Sequence, residues 1–144
     1  MPGGITVLRL AKLSKDIIES RRANETHFSL STEDEKSELQ SLTVWIKQLT
    51  SAITARELMG ETKSAYGVVL YLNVDDVRAI RVSEDFLTAP LNVVWEPDDR
   101  LGAEGHAGII GLMRPPGGER LKYKALRARL AQIATVEFLP DMAG

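Results

Sequence analysis

Gly67-Val68-Val69-Leu70-Tyr71-Leu72 is a continuous apolar run bounded by turn-forming residues, the pattern of a central strand covered on both faces. Asn73-Val74-Asp75-Asp76-Val77-Arg78 follows at once. Asparagine is a good N-cap, two acids fall in what would be the first turn, and Arg78 and Arg81 lie toward the far end. A helix of one or two turns is therefore expected, and its aspartates have a structural task available at the positive end of the helix dipole.

Upstream, Leu42, Val44 and Ile46 alternate with Thr43, Trp45 and Lys47, the period of a strand with one buried face. Thr50 or Ser51 then caps an expected helix from Ala52 to Met59, with Gly60 at the C′ position. Nearer the N-terminus, Ile5 to Leu10 is rich in β-branched residues and reads as a strand. Lys12 to Arg22 carries Leu13, Ile17 and Ile18 at helical spacing, ended by Asn24, Glu25 and Thr26. His27-Phe28-Ser29-Leu30 is expected as a second short strand, before an acidic, turn-prone loop at 31–37.

Downstream, Leu91 to Trp95 reads as a strand stopped by Pro97 and the Asp98-Asp99 turn, and Ile109 to Met113 as another, broken by Pro115-Pro116-Gly117-Gly118. Glu119 to Ala134 is the clearest helix. Tyr123, Leu126, Leu130 and Ile133 fall on one arc, and Leu121, Ala125 and Ala128 form a smaller apolar strip. Arg120, Lys124 and Arg127 flank one side, Lys122 and Arg129 the other, all expected in solvent. The tail from Glu137 to Gly144 either frays or adds an edge segment through Val136 and Phe138. The expected fold is a single α+β domain over 1–144. Its mixed or mainly antiparallel sheet of about five strands is covered by two or three helices, the 51–59 and 119–134 helices foremost.

A length of 144 residues suits one hydrophobic core. The chain contains no cysteine, which removes disulfides and thiolate chemistry, and with only His27 and His106 a zinc site would have to recruit carboxylates. Neither a metal nor a cofactor is expected. The net charge of -2 argues against a surface given over to nucleic acid or anionic membrane. It conceals a polarity: eight acids face three arginines between Asn73 and Glu104, whereas six basic residues face Glu119 alone between Arg114 and Ala134. The two regions either neutralise each other, within one chain or between two copies, or the basic helix docks an acidic partner. No targeting signal or membrane span is expected, which places the protein in the cytoplasm.

Chemistry is sought first in Gly105-His106-Ala107-Gly108-Ile109-Ile110-Gly111, where glycines at 102, 105, 108 and 111 leave room for close approach around a histidine suited to proton transfer. His106 with a carboxylate such as Glu96 is the catalytic candidate, although no motif marks a serine, threonine or cysteine nucleophile. The alternatives are a structural imidazole bound to a backbone group at a strand start, or contact with a partner. Gly117-Gly118 ahead of the basic helix suggests phosphate binding but lacks a P-loop sequence, leaving Arg114 and Arg120 as the residues to test. Arg114, Arg120, Lys124 and Arg127 are the binding candidates. The basic helix has no helix-turn-helix companion, and the aromatics form no RNA-stacking motif. Trp45 and Trp95, both on expected strands, are read as core.

Trp95-Glu96-Pro97-Asp98-Asp99 followed by Gly105-His106-Ala107-Gly108-Ile109-Ile110-Gly111-Leu112 resembles a segment of small, functionally uncharacterised bacterial proteins. In those a strand and an acidic proline turn precede a Gly/Ala-His-Ala-x-Ile/Val-x-Gly run; the commonest form has Asn-Pro before the Ala-His. The resemblance covers about twenty residues. It implies a bacterial defence or mobile-element setting and no particular reaction. Two functions follow. The first is a non-enzymatic accessory protein that docks another protein, such as the product of a neighbouring gene, through charged surfaces. The second is a small hydrolase or transferase using His106 and a nearby carboxylate.

Overall fold

The 67–72 run lies within a strand, Tyr66–Asn73, and the helix that follows it spans Val74–Arg78. The structure is a computed structural model that describes residues 4–12, 14–29, 41–58, 66–80, 91–96, 103–112 and 120–139. In chain order these form β1 (Thr6–Lys12), α1 (Lys15–Ser20), a 3-10 helix (Glu25–Phe28), β2 (Leu42–Ile46) and α2 (Ala52–Glu57). Then come β3 (Tyr66–Asn73), α3 (Val74–Arg78), β4 (Asn92–Trp95), β5 (His106–Ile110), α4 (Arg120–Ile133) and β6 (Thr135–Phe138). The strands make one six-stranded sheet in the order β4-β5-β2-β1-β3-β6, with every neighbouring pair antiparallel. The sixth strand is the Val136–Phe138 segment, which settles on β3 as an edge.

Alternation along β3 divides the core. Val68, Leu70 and Leu72 share one face with Val7, Leu42, Val44, Ala107 and Ile109. Ile17 of α1, Phe28 of the 3-10 helix, Val74 and Val77 of α3, and Leu126 and Leu130 of α4 close over that face. Val69 turns the other way, toward Leu8, Leu10, Trp45 and Leu139, under Ala55 of α2. Each fully buried leucine contributes about 2 kcal/mol. β3 is thus covered on both faces, as its composition requires, but it lies one strand in from the edge.

Three helices begin on side-chain caps. Ser14 accepts from the Ile17 N–H, Ser51 from the Thr54 N–H, and Asn73 from the N–H groups of Asp75 and Asp76. Three sequence expectations require correction. The 27–30 strand is instead the 3-10 helix, because the Asn24 side chain accepts from the Thr26 N–H while His27 Nδ1 accepts from the Asn24 N–H at 2.9 Å, and this reciprocal cap favours a turn over extension. The 12–22 helix shrinks to 15–20, since Lys12 belongs to β1 and Ser14 is the cap. Of its two isoleucines, Ile17 is buried and Ile18 is exposed. The expected 109–113 strand starts three residues earlier, which puts His106 inside it. On α4, Leu126 and Leu130 are buried as their arc demands, but Leu121 of the smaller strip is exposed.

Arg9 ties three elements together. The β1–β2 ladder pairs only Val7 with Ile46 and Leu8 with Trp45. Just beyond it the Arg9 guanidinium donates to the Thr43 carbonyl (Nη1, 2.8 Å) and the His27 carbonyl (Nε, 2.7 Å), bracing β2 and the 3-10 helix against β1.

Candidate functional site

The catalytic candidates lie at the β4–β5–β2 end of the sheet. In β5, Ala107 and Ile109 face the larger core, so His106 and Gly108 face the opposite side, where Trp45 of β2 pairs with His106 and Thr43 with Gly108. Glu96 follows β4 and bonds to β5 through its N–H, which donates to the His106 carbonyl at 2.9 Å. The sheet therefore brings Glu96 and His106 together, but through main chain. His106 Nδ1 lies 2.8 Å from the Glu96 carbonyl oxygen, a contact in which Nδ1 carries the proton, and the imidazole meets the Trp45 ring edge-on at 5.0 Å between centroids.

The Glu96 carboxylate is engaged elsewhere. Ser41 Oγ donates to Glu96 Oε1 at 2.6 Å, a charge-assisted bond between residues 55 apart in sequence. Ser41 is 4% exposed. The pair sits over Gly108, where an added Cβ would collide with Glu96 Oε1 and Ser41 Oγ. At Gly105 a Cβ would stand 2.6 Å from Thr50 Oγ1, which accepts from the Gly105 N–H. Glycines spaced by three residues thus admit the protein's own side chains. The sequence marks Gly108 but not Ser41, because nothing local to position 41 signals a partner at 96.

Trp95 departs from its expected place in the core. It is 56% exposed, on the edge strand, and its indole Nε1 donates to the Glu104 carbonyl at 2.8 Å. The next residue, Gly105, lies against Leu49, itself 52% exposed, so the 104–105 turn carries two large apolar side chains at the surface. Trp45 is buried beneath Leu8 and Leu10.

The basic candidates occupy the other end. Lys124 pairs with Glu25 of the 3-10 helix at 3.5 Å, and Arg127 is half-buried, its Nε enclosed without a hydrogen-bond partner among the described residues. Lys124 remains exposed, as expected of a solvated flank, whereas Arg127 does not, which corrects the expectation for that residue: the 3-10 helix packs against that side of α4. Arg120 opens α4, and Arg114 lies outside the described residues. Beside this contact is an open cleft of about 810 Å³. It runs between residues 21–26 on one wall and Ala128, Ala131, Gln132, Ala134 and Val136 on the other. His27, next in sequence to the first wall, is held below its ordinary value of 6.5 chiefly by burial, against the opposing pulls of a main-chain hydrogen bond at Asn24 and of Asp16, with Arg9 a smaller lowering influence.

Among the described residues no group of three histidine, aspartate or glutamate side chains converges as a metal site requires, and no helix is long and apolar enough to cross a membrane. No protein-family model, curated protein or solved structure matches the chain.

Proposed function

We propose that this protein is a non-enzymatic interaction module, an accessory component of a multi-protein assembly that docks a protein partner. The observation that carries the reading is Trp95. Tryptophan is enriched at binding hot spots, and here its indole is fixed by the Glu104 carbonyl while the residue is 56% exposed. A ring already held in one orientation loses little entropy when a partner covers it. The groups nearest to it that are suited to proton transfer favour the same reading: His106 bonds a backbone carbonyl, and the Glu96 carboxylate is taken by a buried serine. The bacterial defence or mobile-element setting implied by the 95–112 resemblance belongs to this proposal.

The test is affinity capture from a lysate of the source organism with wild-type and Trp95→Ala protein, quantified by mass spectrometry. The substitution removes one hydrogen bond at the surface and should cost about 1 kcal/mol of stability. A partner retained by wild type and depleted at least tenfold by Trp95→Ala is the expected result. Identical sets retained by the two proteins would refute docking through this turn.

A further inference from the structure

The edge opposite Trp95 differs in what its main chain offers. Leu139 N–H donates to the Gly67 carbonyl, which fixes the phase of the β3–β6 ladder: Thr135 and Glu137 bond inward to β3, and Val136 and Phe138 turn their N–H and C=O groups outward. No described residue hydrogen-bonds those outward groups. The Val136 and Phe138 side chains pack on the helical face, so a strand laid along β6 would send every second side chain to that same face, where Val136 borders the cleft.

The cleft wall carries Arg21 and Arg22, both exposed and neither ion-paired among the described residues, whereas the carboxylate on that wall, Glu25, is engaged by Lys124. Arg21 is the C-cap of α1 at φ 55, the one left-handed non-glycine among the described residues. Glycine adopts this conformation freely and a residue with a Cβ resists it, so the position favours glycine on backbone grounds alone. Arginine there places a guanidinium 4.9 Å from the Phe138 ring centroid, directly at the open edge.

We propose that this cleft receives an extended acidic peptide, which adds to β6 as a further strand and presents carboxylates at alternate positions to Arg21 and Arg22. Main-chain pairing supplies the docking and the arginines the selectivity, the division of labour usual in strand addition. The proposal rests on the interaction reading above but uses a separate surface.

The probe is a fluorescein-labelled octapeptide alternating Glu and Val, followed by fluorescence anisotropy against the full chain. Two controls are a peptide of identical composition in blocks of like residues and one alternating Lys and Val. Expected is saturable binding of the Glu-Val peptide, at least tenfold weaker for both controls. Arg21→Gly should weaken it at least tenfold with no fall in melting temperature. Val136→Pro removes an outward N–H that β3 does not use and should abolish binding. A Glu-Val peptide N-methylated at alternate residues tests strand addition without altering the protein, and should also fail to bind. Trp95→Ala should bind the peptide as wild type does, so loss of the Trp95-dependent partner and loss of the peptide are separable results. No binding of the Glu-Val peptide, equal binding of the block peptide, or undiminished affinity in Arg21→Gly or with the N-methylated peptide would overturn the proposal.

Discussion

The two edges of the sheet differ in how far their outward main-chain groups are covered. At β4 the ladder phase turns Val93 and Trp95 outward, and both main-chain groups of Val93 are occupied: its N–H donates to Asn92 Oδ1 at 2.8 Å and its carbonyl accepts from Arg78 Nη2 at 3.3 Å, with Arg78 Nε also bound to Asn92 at 2.7 Å. At β6 the corresponding groups of Val136 and Phe138 have no partner among the described residues. Unpaired edges invite other chains, and covering them with a charged side chain is a common defence. The β4 end is covered on its main chain at Val93 and offers side chains, Trp95 and Leu49; the β6 end has no such cover among the described residues and lies beside a basic cleft. The two proposed docking surfaces thus differ in chemistry.

The interior of the β4 end should tolerate change least. Gly108→Ala drives a methyl into the Ser41–Glu96 bond, so a loss of roughly 3 kcal/mol is expected, measured by chemical denaturation, since overpacking and a displaced charged hydrogen bond act together. A value below 1 kcal/mol would show that this end is not the locked one. Arg78→Ala comes next. Stripping the cover from the Val93 carbonyl should cost about 1 kcal/mol and raise the apparent mass in concentration-dependent light scattering, making the β4 edge behave as an open one. An unchanged mass would mean that Arg78 is not what closes it.

The smallest effect concerns the wall of the cleft. Because burial holds His27 below its ordinary value, the folded protein binds this proton less readily than the unfolded chain does. The contribution is therefore complete above about pH 6.5 and is lost as pH falls through 6.5 toward the lowered folded value. Protonation also converts Nδ1 from the acceptor of the Asn24 N–H into a donor. His27→Gln keeps an acceptor at the capping-box position and does not titrate, so the fall in melting temperature between pH 7 and pH 5 should be smaller than in wild type. An equal fall in both proteins would place the pH sensitivity elsewhere.

Much of this frame is legible locally. The caps at Ser51 and Asn73, the strands at 42–46 and 67–72, and the Leu126–Leu130 stripe all follow from neighbours within a few residues, where helical and extended periods act directly. The errors share a cause. Phe28 is apolar in either conformation, and only the Asn24–His27 cap selects the 3-10 turn. Trp95 alternates as a core residue would, yet β4 is an edge, and edge position is a property of strand order. Arg127 reads as solvated because a helical wheel does not show what packs beside it, here the 3-10 helix.

The sequence by itself determined the α+β class, most element positions, and the weakness of any case for thiol or zinc chemistry, because composition and short-range periodicity act without reference to distant chain. The tertiary structure decided the rest. The order β4-β5-β2-β1-β3-β6 makes Trp95 an exposed edge residue, sets Ser41 against Glu96, and places Arg21 over Phe138 beside a free edge. These pairings join residues from 55 to 117 positions apart, and antiparallel register, which no local pattern encodes, chose them.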